Sequence, residues 1–181
     1  MFALFFLGVV ATVIIPAGTR EWQQKTSATP AYTDLELRGR EVYRQEGCIW
    51  CHTQTNRHLK ADNIRYGRYG TPAPPSEGEE YINDNPHYLG NKRTGPDLSR
   101  IGGKYSDDWH HAHLRDPRGV TPGSIMVAFT WLYNKDGTPT EAVALVAYLQ
   151  KLGTSVNWAP AGVPTTTFSP RDVIIEGEEE L

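Results

Sequence analysis

Two cysteines separated by two residues and followed at once by a histidine, Cys48-Ile49-Trp50-Cys51-His52, constrain this chain more than any other stretch. They are its only cysteines, and their spacing is that of c-type haem attachment. Two thiols three positions apart can each add to one vinyl group of the macrocycle. The histidine that follows then offers the iron a neutral imidazole nitrogen. A redox-active dithiol uses the same cysteine spacing but does not need His52. A tetrahedral zinc site needs two further ligands, for which His110 and His113 are candidates. A disulfide would be strained over so short a loop. One covalently attached haem c is the expectation that uses all three side chains.

With 181 residues the chain has room for one domain and an attachment. Hydrophobic residues make up 39% and the mean hydropathy is −0.49, which excludes a multi-span membrane protein. Seventeen glycines and thirteen prolines imply much irregular backbone, as suits a domain wrapped around a macrocycle. The formal net charge of −3 names no partner, and no basic patch suggests nucleic acid. Haem attachment takes place outside the cytosol, so the cysteine usage implies that compartment.

Residues 1–18 begin with an uncharged apolar run that Pro16 closes. No basic residue precedes Arg20, as one would in a secretory signal. The run is therefore read as a retained membrane anchor inserted in lipid, although about 20 apolar residues make a full span. Residues 19–32 read as a linker and 154–181 as an irregular tail ending in an acidic run. Between them, 33–153 form the expected haem domain.

Thr33-Asp34-Leu35-Glu36 is a capping box that predicts a helix to about Glu46, stopped by Gly47. Leu35, Val42 and Tyr43 are its candidate core residues. Gly39 within it marks either a close helix approach or a tolerant exposed face. Ser106 caps a helix over 107–115 that carries His110, His111 and His113. Thr138, Pro139 and Glu141 predict the start of a last, almost wholly apolar helix with Tyr148 near Gly39. From Thr53 to Arg93 periodicity disappears, and the stretch is too long for an idle connection. Arg57, Arg65 and Arg68 within it are candidates for the haem propionates, and Arg93 is taken as a further cofactor-binding residue. The irregular stretch 53–93 and the turn Lys92-Arg93-Thr94 are the candidates for the docking face. Met126 is the only methionine besides Met1. If the iron takes a thioether as second ligand, elimination leaves Met126.

The runs GREVYRQEGCIWCHTQ, RYGRYG, KRTGPDLSRIGGKYSDDWHHAHLRDPR and VAYLQKLGT closely resemble the mono-haem membrane-anchored subunit (subunit II) of cbb3-type cytochrome c oxidases. The order of elements is also similar to class I cytochromes c. The resemblance implies a mostly α, class I cytochrome c-like haem domain with long irregular loops and one N-terminal transmembrane helix. It implies a single-pass protein of the bacterial inner membrane, its haem domain on the periplasmic side. It further implies electron transfer in aerobic respiration, with a catalytic haem–copper oxidase subunit and a further cytochrome c subunit as partners. Carried over to this chain, Cys48 and Cys51 hold the haem, and His52 and Met126 are proximal and distal ligands. The carbonyl of Pro96 accepts the proximal imidazole's other N–H. A membrane-tethered electron shuttle and the anchored haem subunit of a nitric-oxide reductase are the alternatives.

Overall fold

The structure is a computed structural model that describes residues 2–18, 29–68 and 70–156. Most of the expected linker, Tyr69 and nearly all of the C-terminal tail lie outside the described residues. About half of the described residues are helical rather than most of them. The described residues hold only two isolated β-bridges, Arg68 with Thr71 and Tyr133 with Pro139.

The described residues do not show the expected N-terminal transmembrane helix. The apolar run folds as α1 (Phe2–Val9), a π-helical turn (Val10–Ile14) and α2 (Ile15–Ala17). At 1.5 Å per residue this reaches about 24 Å, short of a hydrocarbon core of about 30 Å. Among the described residues no helix is long and apolar enough to cross a membrane.

Helix α3 (Asp34–Gln45) starts where its capping box predicts. The Glu36 amide donates to Thr33 Oγ1 at 3.3 Å, and Glu36 Oε2 accepts from the Thr33 amide at 2.7 Å. Val42 and Tyr43 are buried, whereas Leu35 in the first turn is half exposed. The last helix, α7 (Glu141–Lys151), crosses α3, and Gly39 lies at the crossing. A Cβ at Gly39 would collide with the backbone carbonyl of Ala144 and stand 2.9 Å from the Tyr148 Cβ. Of the two readings of Gly39, close approach is the one realised. Tyr148 meets Tyr43 edge-on at 5.5 Å, and both rings are fully buried beside Leu145.

Helix α7 begins later than its sequence signals predict. Thr138 and Asn134 pair across a turn, and Thr140 bonds the Leu132 carbonyl through both its amide (2.9 Å) and Oγ1 (2.7 Å). Those bonds hold the chain non-helical through Thr140. Glu141 then makes a two-toothed ion pair with Arg38 instead of closing a capping box.

The segment 53–93 is ordered, but polar groups order it. It contains α4 (Lys60–Tyr66) and a 3-10 turn, Gly78–Tyr81. Asn56, 1% exposed, donates to Asn63 Oδ1 and to the carbonyls of Ala73 and Pro74. Arg100, equally buried, donates to the carbonyls of Pro74 and Pro75 and to both carboxylate oxygens of Glu80. Arg40 does the same for Asp84 and the Pro86 carbonyl. Guanidinium groups with several rigid donors replace an apolar core here. Helix α5 (Asp107–Arg115) is capped by Ser106 as predicted. It is followed by a short α6 (Pro117–Val120), in which Asp116 caps the Gly119 amide.

Candidate functional site

Helix α3 ends at Gln45, and Gly47 at φ 71° turns the chain left-handed into the 3-10 turn Cys48–Trp50. This is a conformation that glycine adopts without strain. The amides of Cys51 and His52 both bond the Cys48 carbonyl, at 3.1 and 2.9 Å. Both thiols therefore stand on one tight coil with His52 at its exit. Burial pushes the Cys48 thiol up to about 12, so it is not a thiolate at neutral pH. Cys51 is exposed. A Cys48 thiol pushed up in this way disfavours a redox-active dithiol, which uses the thiolate. His110 and His113 do not join the cysteines. Among the described residues no three His, Cys, Asp or Glu side chains converge in a way that could hold a metal ion.

Two segments hold His52 in place. On one side the Gly95 amide bonds the Cys51 carbonyl and the Leu98 amide bonds the Thr53 carbonyl, both at 2.8 Å. On the other the Gln54 amide bonds the Leu89 carbonyl at 2.9 Å. The glycines at these contacts are required by space. A Cβ on Gly95 would lie 2.7 Å from His52 Nε2, and one on Gly90 would lie 2.5 Å from the His52 carbonyl oxygen.

The imidazole Nδ1 stands 2.7 Å from the Pro96 carbonyl oxygen. A carbonyl can only accept, so Nδ1 carries the proton and Nε2 keeps its lone pair. Burial pushes the imidazole pKa down, against the Pro96 carbonyl and the Asp97 charge, which raise it. The result is a neutral ring with one oriented lone pair. Two unoxidised thiols on one coil, followed by such a ring against a glycine, are the donor set that a covalent haem needs, and the residues fit that group.

Met126 is half-buried between α6 and the 3-10 turn Thr130–Leu132, its amide donating to Ser124 Oγ at 3.2 Å. It packs on the same core cluster as Cys48, Ile49 and Leu98. The Phe129 amide bonds the Leu114 carbonyl at 2.8 Å, and Trp131 Nε1 donates to Glu46 Oε2 at 2.9 Å. These bonds tie the methionine loop to α5 and to the end of α3. Arg93 is engaged within the chain instead. It donates to Thr53 Oγ1, Asp62 Oδ2 and the Thr55 carbonyl, at 2.9, 2.7 and 2.7 Å. Arg57 pairs with Asp62, and Arg68 donates to the Gly102 carbonyl.

Sequence reading missed the two carboxylates of this network, Asp62 and Asp97. Asp97 lies in the same turn as Pro96, so its position beside the expected acceptor was a usable signal. Nothing in the sequence pairs Asp62 with Arg93.

A family model described as cytochrome c oxidase, mono-heme subunit/FixO matches residues 1–139. No curated protein matches the chain.

Proposed function

The chain belongs to the FixO family of mono-haem cytochrome c oxidase subunits, and we propose that it is the electron relay of such an oxidase, serving the catalytic haem–copper subunit from a further cytochrome c subunit. Residues 33–153 are the haem-carrying domain. Cys48 and Cys51 would hold one haem c by thioether bonds, and His52 and Met126 would bind its iron. When bound, that haem supplies a one-electron redox centre. The chain works at a membrane as part of the complex, on the outer side, where covalent haem attachment takes place.

The reading is carried by one observation, the bond from His52 Nδ1 to the Pro96 carbonyl. Pro96 holds the ring's orientation and raises the basicity of Nε2. Gly95 leaves the room that the ring occupies, and Gly90 lets a second segment approach the His52 backbone. Met126 would supply the second ligand from a loop tied to α5 and to the end of α3. If His52 and Met126 both bind the iron, oxygen would find no open position, and the subunit would relay electrons without oxygen chemistry of its own.

The test is purification of the tagged chain from its membrane. A single haem mass on the denatured polypeptide, together with a co-purifying oxidase catalytic subunit, is the expected result. An unmodified polypeptide mass, or rapid oxygen turnover by the isolated chain, overturns the reading.

A further inference from the structure

The residue after the Pro96 carbonyl is the most enclosed charged side chain around His52. The Asp97 side chain has 0% exposure. Its Oδ2 accepts from Thr53 Oγ1 at 2.5 Å and from the Thr55 amide at 2.7 Å. Its Oδ1 accepts from the Ser99 amide at 2.9 Å and from Ser99 Oγ. Every partner is a donor, which is the pattern of an ionised carboxylate. The guanidinium of Arg93 stands 3.7 Å away, and its side chain is 20% exposed. Arg93 also binds Asp62, so it offsets Asp97 only in part. Both charges grip Thr53, the residue next to His52.

A buried charge is expensive unless it is hydrogen-bonded or paired, as Asp97 is here. In a weakly polarisable surrounding a fixed charge also acts far more strongly on its neighbours than it does in water. We propose that Asp97 and Arg93 are an opposed pair of potential-setting residues behind the proximal ligand. The Asp97 carboxylate favours the more positive ferric state, and the Arg93 guanidinium favours the ferrous state. Neither touches the iron. They act through the charge they place beside Thr53 and His52, and through the hold they keep on the Pro96 turn. The inference rests on His52 being the proximal ligand.

Redox titration of the full-length holoprotein, followed by its visible spectrum, tests the pair. One electron passes from a reduced mediator and no proton is transferred. At the ambient potential that half-reduces the parent, Asp97→Asn raises the ferrous-to-ferric ratio about tenfold, the size of one charge acting across a partly buried site. Arg93→Gln lowers the ratio, by less because Arg93 reaches solvent, and Arg93→Lys stays near the parent. Both neutral variants lose thermal stability, so a purely structural role moves them in one direction. Opposite shifts in the ratio support the pair, and shifts of equal sign, or none, overturn it. If Asp97→Asn does not retain haem, Arg93→Gln decides alone, an unchanged or raised ratio being the adverse result. A parent chain without haem refutes the proposed function instead, which keeps the two failures distinct.

Discussion

His52 Nδ1 donates to the Pro96 carbonyl at 2.7 Å across a stretch of chain that two further backbone bonds hold in register. The bond joins the residue after the second cysteine to a turn more than forty positions away. Replacing Pro96 leaves its carbonyl in place but frees the backbone that aims it. Pro96→Ala should keep the haem attached while broadening the spectral signature of the ligand field. Low-temperature spectra of the oxidised holoprotein check this.

Removal of one thiol should leave attachment through the other alone. Cys51→Ala should keep its haem through Cys48 alone, with one vinyl group left unreacted, and Cys48→Ala with Cys51→Ala should lose all of it on denaturation in acid. Mass spectrometry of the denatured chains gives the answer. Covalent haem on the double variant would show that the attachment lies elsewhere.

The distal ligand is read from the potential. A thioether favours ferrous iron relative to an imidazole, so Met126→His should lower the potential by on the order of 100 mV, within the span that axial ligands control. Met126→Ala should shift it as well. An unchanged potential in Met126→Ala would transfer the role to His110 or His113.

Gly39→Ala separates packing from propensity. In a free helix alanine is better than glycine by about 1 kcal/mol. At the crossing, its methyl group would meet the Ala144 carbonyl, and overpacking of this kind costs about 1–3 kcal/mol. Chemical denaturation should show net destabilisation. A stabilised variant would mean that α3 and α7 separate more readily than their contact suggests.

Asp62 governs part of the acid response. Hydrogen bonds from Arg57, and then from Arg93, hold its carboxyl well below the usual range. Its contribution is therefore complete above the unfolded value of about 3.9 and is lost as pH falls below it. Melting temperatures between pH 7 and pH 3 should fall more steeply in the parent than in Asp62→Asn. Parallel curves would remove Asp62 from the account.

Local signals carried the helices because they act within a few residues. Thr33 with Glu36, Ser106 and Gly47 cap or stop their helices where the sequence places them. The start of α7 was misread because Thr140 bonds Leu132, a tertiary contact that overrides the propensity of Pro139. The N-terminal run was misread for another reason. Its apolar composition was legible, but the continuous length of its helix was short. In the segment 53–93, order comes from Arg100, Arg40 and Asn56 reaching across 17 to 46 positions to carbonyls and carboxylates. Hydrophobic periodicity has no access to such pairings. The haem motif needed no tertiary information, and the place of Asp97 beside Pro96 was readable, whereas Asp62 became visible only through its partners.

The bond from the Gln54 amide to the Leu89 carbonyl has a topological consequence. The chain leaves the neighbourhood of His52 and comes back to it, so everything between is an excursion whose two ends already touch. Such a loop can change length without moving its base, since closure entropy grows only with the logarithm of loop length. An open point on it is Gly70, in the turn between the bridged Arg68 and Thr71, where nothing lies within 4 Å of an added Cβ although the φ of 74° favours glycine. Related chains can thus diverge freely in size at that tip while presenting the same imidazole lone pair from the same place.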